Sequence, residues 1–419
     1  MQRRCHRLSS EFIVSLDMGS SKVRAIIGEI NDGTIQIVGV GTAESRGIKK
    51  GAIVDIDQTV HSIREAVNQA EQMVGIDIDE VYVGISGNDI ELHASHGVVA
   101  VSSDDREIRQ KDIERVLQAS RVIAIPPERE IIDVVPKQFL VDGLGDIQDP
   151  RGMIGVRLEV EATVITGSKT ILHNVIRCIE KAELGVAGIY LLPLASSEVA
   201  LSKDEKQLGV VLADIGAGTT TIAVFEQGNL VASRVIPIGG EYITNDVSIG
   251  FHTQFDIAER IKVKYGCALI EDASRDIQFK VSRIGSNEEQ EYNQVDLAEI
   301  IEPRVEEMFV LIRQELEQMG YREPPAGGYV LTGGVMSLAG TIKVARNTLA
   351  NSVRVAEPDD VGVRDPSYTS GVGVIRFALK QQPGSTRSST GGQKKKTRRT
   401  VRRKEPFLQR VKSWLSEFI

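Results

Sequence analysis

The sequence predicts a two-lobed α/β protein with a strand–helix–strand–strand unit inserted in its first half and a short amphipathic helix on a basic linker at its C-terminal end. Three observations predict this. A pattern of strand, Asp-x-Gly turn, strand, turn and strand occurs twice, and its two aspartates, Asp17 and Asp214, lie 197 residues apart. An internal repeat at that distance indicates two related α/β domains facing each other. Strand and helix periodicities between 80 and 165 form a self-contained unit that the second half does not repeat. The last thirteen residues separate into an apolar and a polar face when wound as a helix.

The elements follow in order. Strand 12–16 runs into Asp17-Met-Gly-Ser-Ser21, then come strand 23–29, a turn at Asn31-Asp-Gly33 and strand 35–41. A helix over 57–74 puts Val60, Ile63, Val67, Ala70 and Val74 on one face. In the unit at 80–165, strands 81–86 and 98–101 precede a helix at 110–124 and strands 131–140 and 158–166. A helix at 170–182 leads through Leu191-Leu-Pro-Leu-Ala-Ser196 into another. The second copy has strand 209–213, the turn Asp214-Ile-Gly-Ala-Gly-Thr-Thr220, strand 221–225, a turn at Gln227-Gly-Asn229 and strand 230–237. Residues 238–300 read as an insertion with a helix at 256–265 and a polar strand pair. A helix at 297–319, the Gly-rich Leu331-Thr-Gly-Gly334 and a small-residue helix at 367–378 complete the body.

Glycine after Asp-x lets a turn point consecutive backbone N–H groups at an anion with no Cβ in the way, and neighbouring hydroxyls can donate to phosphate. Two such turns in matching strand contexts clamp a polyphosphate between two domains. Asp17 and Asp214, facing each other there, hold a hydrated Mg²⁺, a cation that keeps several waters and takes one or two carboxylates. Gly333 and Gly334 lack the Gly-Lys-Ser/Thr of a P-loop and suit close backbone approach to adenine or ribose. His93 and His96 resemble metal ligands in spacing, but no third ligand accompanies them.

These motifs resemble the actin/heat-shock-chaperone/sugar-kinase ATPase superfamily over 12–380, and within it the FtsA family of bacterial cell-division proteins. Asp17-Met-Gly-Ser-Ser-Lys22 is similar to the first phosphate loop, Asp214-Ile-Gly-Ala-Gly-Thr-Thr220 to the second and Leu331-Thr-Gly-Gly334 to the adenosine segment. Pro193-Leu-Ala-Ser-Ser197 and Gly371-Val-Gly373 resemble the helices that connect the lobes, and Ala258-Glu-Arg-Ile-Lys262 the segment whose lysine approaches base or ribose. The resemblance implies an actin-like fold with duplicated ribonuclease-H-like domains. Its first lobe comprises 11–84 and 163–203, with the FtsA-specific insertion at 85–162. The second lobe has its core at 204–238 and 306–366 and an outer subdomain at 239–305. A return helix covers 367–380, the basic linker 381–405 and the amphipathic helix 406–419.

The resemblance also implies ATP with Mg²⁺ as ligand, held by Asp17, Gly19, Ser20, Ser21, Lys22, Asp214, Gly216, Ala217, Gly218, Thr219, Thr220, Lys262, Gly333 and Gly334. It implies self-assembly into filaments, contact with later division proteins, and docking of the C-terminal tail of the tubulin-like FtsZ on the outer subdomain, where Lys280, Arg283 and Arg304 suit an acidic peptide. Another actin-like membrane filament or platform protein that does not bind FtsZ is the alternative. Vigorous ATPases of the superfamily carry Gln or Glu in the first connecting segment to position water. Here Leu191-Leu192-Pro193 stands there, with Ser196, Ser197 and Glu198 the nearest polar groups, so slow hydrolysis is expected.

In the tail, Phe407, Leu408, Val411, Trp414, Leu415, Phe418 and Ile419 fill an arc of roughly 140° at about 100° per residue. Arg410 and Lys412 border it, where cationic stems lie along the apolar face and reach lipid phosphates. Residues 394–404 hold eight Lys/Arg, and from 381 on the net charge is +9 in a chain that is −8 overall. Anionic lipid attracts such a cluster by about 1 kcal/mol per basic residue held at the surface. Nucleic acid would not require Trp and two Phe in one stripe. Three dispersed cysteines argue against a disulfide framework. No signal peptide and no run of eighteen apolar residues is found, so the membrane contact is expected to be peripheral and cytoplasmic; the resemblance implies that its place is the division septum.

Overall fold

The computed structural model describes residues 11–31, 33–87, 90–285 and 289–381. The membrane-facing residues read at 407–419 and the basic linker from 382 on lie outside them. Two five-stranded sheets form the body. The first runs in the order Gly185–Leu191, Glu80–Ile85, Glu11–Met18, Lys22–Asn31, Thr34–Glu44, and the second Val353–Val355, Tyr329–Thr332, Val210–Ile215, Thr220–Glu226, Asn229–Ile236. In each, an antiparallel meander of three strands is extended by two strands parallel to its first. The repeat extends to register, since Asp17 pairs with Arg24 and Asp214 with Thr221.

The strand Glu80–Ile85 belongs to the first lobe's sheet, between Glu11–Met18 and Gly185–Leu191. The expected self-contained unit therefore starts after it. That unit is a four-stranded antiparallel sheet ordered Glu91–Ala100, Arg157–Ser168, Arg129–Val141, Leu144–Ile147, with helix Gln110–Ala119 packed on it through Ile113 and Val116.

Local chemistry accounts for the main helices. Asp55 caps Ile56–Val74 by accepting from Gln58 N at 3.0 Å, and Gly75 ends it in the left-handed region. Its buried face, Val60, Ile63, Val67 and Ala70, packs on Leu16, Val23, Ala25 and Ile27 of the first sheet. In the second lobe Asn293 caps Gln294–Gln318. Leu297, Ile301, Val305, Met308, Ile312 and Leu316 form its buried stripe against the second sheet and the outer subdomain. Helices Leu192–Ala200 and Thr369–Gln381 cross between the lobes. A Cβ on Gly373 would fall 2.4 Å from the Ala195 carbonyl oxygen, so glycine is what lets the two backbones touch.

Candidate functional site

The two Asp-x-Gly turns face each other across the lobes and are built alike. Gly19 N donates to Lys22 O at 3.0 Å, and Gly216 N donates to Thr219 O at 2.9 Å, the same bond 197 positions later. Each bond closes a turn whose next two amides are left over. Among the described residues, the N–H groups of Ser20 and Ser21, and of Ala217 and Gly218 at the matching positions, donate to no protein acceptor. Orphan amides grouped in this way are an anion-binding concavity. The turns meet where a Cβ on Gly218 would lie 2.6 Å from Ser20 Oγ. The second is braced from behind, as Gly240 N and Glu241 N donate to Gly216 O and Ala217 O at the start of helix Gly240–Gly250.

Asp17 and Asp214 end the first strand of each meander, close enough for the charge of one to raise the other. Burial pushes Asp17 up to about 6, opposed by Arg24 and reinforced by Asp214. Burial raises Asp214 too, opposed by a hydrogen bond from Ser370 and by Arg24. Ser370 Oγ donates to Asp214 Oδ2 at 2.6 Å, which leaves Ser196 to donate to Ser370 at 3.1 Å. A hydroxyl relay from both connecting helices thus ends on one cleft carboxylate. Gly333, at φ 93°, closes over the same group, for a Cβ there would fall 2.4 Å from Asp214 Oδ1. Two half-buried carboxylates with one nearby guanidinium make a site that a divalent cation or a cation-bearing phosphate would complete.

Arg24 and Ser370 were not singled out from the sequence. Arg24 lies 3.8 Å from Asp17, hydrogen bonds the carbonyl and hydroxyl of Ser367 at 3.3 and 3.1 Å, and sits 4.7 Å from the Tyr368 ring centre. It therefore ties the first turn to the start of the return helix. A lone arginine in a strand reads as solvent-facing, and no local pattern shows partners 343 residues away.

The other expected residues divide. Ser20 Oγ accepts from Gly51 N at 3.1 Å, while Lys22 is 4.0 Å from Glu44. Thr220 is fully buried and its hydroxyl donates to Ile238 O at 2.8 Å, so it supports the turn from behind and does not face the cleft. Lys262 Nζ reaches Glu259, Gly240 O and Thr244 Oγ1, and a Cβ on Gly240 would meet both Lys262 Nζ and Val335, the residue after Gly334. Gly334 is open on its Cβ side, the nearest atom being Ser367 Cβ at 3.7 Å. In the first connecting segment Leu191 is buried and Ser197 Oγ donates to Leu194 O. Glu198 is taken by Lys206 and Lys380, whose hydrogen bonds and charge outweigh burial and hold its carboxyl low. None of these is a free base.

In the outer subdomain, Lys280 and Arg283 are exposed on or beside the hairpin of Gln278–Ser282 and Glu289–Asn293, Arg283 donating to Gln290 Oε1 at 3.2 Å. Arg304 is instead committed to Asp246, at 2.5 and 3.1 Å, and to Glu307. His93 and His96 are three apart on one strand and so point to opposite faces. They meet Thr166 with Glu91, and Glu159, respectively. No cluster of three or more metal-ligating side chains occurs among the described residues, and no helix there is long and apolar enough to cross a membrane.

The family model described as Cell division protein FtsA matches residues 211–373, and that of the SHS2 domain inserted in FTSA matches 87–166. The chain is 52% identical to the Bacillus subtilis cell division protein FtsA, over 89% of this chain and 84% of that one. It is 39% identical to the Pseudomonas aeruginosa protein of the same name, over 97% and 98%. Among solved structures it is similar to the PilM–PilN type IV pilus biogenesis complex (TM-score 0.60, 16% identity, 88% of this chain and 99% of that one). It is also similar to MreB5 of Spiroplasma citri bound to ADP (TM-score 0.53, 12% identity, 89% and 99%). These likenesses give the fold, two actin-like lobes carrying an inserted SHS2 domain. With the fold, the insertion and relatives matched along most of their length in agreement, the chain belongs to the FtsA family of cell division proteins.

Proposed function

We propose that this actin-like cell-division protein is an ATP-dependent adaptor that attaches FtsZ filaments to the cytoplasmic membrane. ATP sits between the two turns. The amides of Ser20, Ser21, Ala217 and Gly218 hold its phosphates, and Lys262, Gly333 and Gly334 approach the nucleoside. Gly19, Gly216 and Thr219 shape the turns, and Lys22 flanks the first. Asp17 and Asp214 hold Mg²⁺ through water, and the ion neutralises phosphate charge when bound. The observation that carries the reading is the pair of identically bonded turns with unclaimed amides at matching positions.

With Leu191, Leu192 and Pro193 in the first connecting segment, and Glu198 held by two lysines, no side chain there orients water. ATP then acts as a structural ligand and an assembly switch, hydrolysed slowly. The FtsZ tail docks on the outer subdomain, where Lys280 and Arg283 stand near exposed Ile284. Arg304 contributes only by giving up Asp246. Residues 406–419 bind anionic lipid, with the basic linker as second signal. Copies of the chain assemble with one another at the septum and contact later division proteins. Titration of the full chain with ATP, with and without Mg²⁺, followed by single-turnover hydrolysis, tests the nucleotide part. Mg²⁺-dependent binding with slow turnover is expected. Absence of binding, or turnover as fast as that of heat-shock chaperones, contradicts it.

A further inference from the structure

The hairpin Ile48–Lys49 and Ala52–Ile53, with a two-residue loop at Lys50–Gly51, belongs to the first lobe but lies in the gap between the two turns. Its tip meets the first turn where Gly51 N donates to Ser20 Oγ at 3.1 Å. It meets the second where a Cβ on Gly218 would lie 3.1 Å from Lys50 N, and one on Gly51 3.6 Å from Thr219 Cγ2. The Lys50 side chain then crosses to the second lobe, its Nζ 5.5 Å from the centre of the Tyr242 ring. Tyr242 follows Glu241, whose amide braces Ala217. The Lys50 backbone thus lies against the turn whose amides are unclaimed, and its ammonium lies by Tyr242 and Glu241 at the helix start that braces that turn.

The nucleoside segments, Lys262 and Gly333–Gly334, are all on the second lobe, whereas Ser20 and the hairpin are on the first. A phosphate chain that starts at the nucleoside and reaches Ser20 ends at the hairpin tip. We infer that Lys50 is a ligand-reading residue that contacts the terminal phosphate of a nucleoside triphosphate and so discriminates tri- from diphosphate. This rests on the reading of the cleft as a nucleotide site. The ammonium lies over Tyr242 and near Glu241, a carboxyl raised by burial and by Glu259, with Lys262, Lys49 and Lys50 opposing. With a triphosphate it exchanges a weak cation–π contact for a charge-assisted hydrogen bond.

The turn also supplies the control. Lys50 and Gly51 have φ of 49° and 74°, the two-residue form in which Asn-Gly is favoured. Asp142–Gly143 and Gln227–Gly228 show the same form, so the backbone alone does not single out Lys50. Lys50→Asn therefore removes the charge while suiting the turn, and Lys50→Arg keeps the charge. The test is equilibrium binding of a non-hydrolysed ATP analogue and of ADP, both with Mg²⁺, to the full chain and to both variants, with a thermal melt of each.

Lys50→Asn is expected to melt no lower than wild type, to lose about tenfold in affinity for the triphosphate, and to keep its ADP affinity within about twofold. Lys50→Arg should keep most of the wild-type preference. A wild-type ratio of affinities in Lys50→Asn, or an equal loss for both nucleotides, overturns the inference. Failure of wild type to bind either nucleotide overturns the reading of the cleft, and the inference with it.

Discussion

Burial in the cleft disfavours the charge of Asp17, and that has a sign that can be tested. Its folded value, about 6, lies above the ordinary 3.8, so the ionised form is disfavoured by folding. This group's contribution to stability is undiminished below 3.8, falls as pH rises between the two values, and stays low above about 6. Asp17→Asn removes that penalty. Nucleotide-free Asp17→Asn is expected to be more stable than wild type at pH 7.5, by at most about 3 kcal/mol. The gap should shrink as pH falls through 6, and Mg²⁺-dependent nucleotide binding should be lost. Denaturant titrations at several pH values check this. A variant less stable than wild type at pH 7.5 would mean that Arg24 stabilises the ionised carboxylate more than burial opposes it. The glycines and aspartates of the turns were legible as residues because their spacing is local chemistry. The direction of a side chain was not. Thr220 looked like another phosphate hydroxyl, but as the first residue of Thr220–Glu226 it faces inward.

At the scale of elements, the crossing of Leu192–Ala200 and Thr369–Gln381 connects cleft to frame. The relay Ser196–Ser370–Asp214 holds only while the two helices touch, and contact at Gly373 depends on the absence of a side chain. Gly373→Val would press against the backbone of Ala195 and Ser196. Overpacking of this kind costs about 1–3 kcal/mol, and more where backbone must move. A lower denaturation midpoint together with weakened nucleotide binding is expected, and an unchanged midpoint would show that the helices part freely. Helix and meander periodicities predicted most elements because they are local. Periodicity alone groups the strand Glu80–Ile85 with the inserted unit, because its parallel partners, Glu11–Met18 and Gly185–Leu191, are remote in sequence and leave no mark near it, whereas the family resemblance sets the boundary after residue 84. Arg304 read as a free cation for the same reason, since Asp246 is 58 residues away.

For the whole molecule, the repeat of Asp17 at Asp214 made the two-lobed fold legible, because a duplicated sequence buries itself in a duplicated way. The charge division between an acidic body and a basic tail is what makes a different partner expected at each end. Residues 1–380 carry −17 against +9 beyond them. The adaptor reading makes both ends necessary at once. Its most direct test is recruitment of a labelled FtsZ C-terminal peptide to anionic vesicles in the presence of ATP and Mg²⁺, by the full chain and by a chain ending at Gln382. The account predicts that the full chain carries peptide to the vesicles and that the shortened chain binds peptide but leaves it in solution. Vesicle binding by the full chain with the peptide left behind would contradict it.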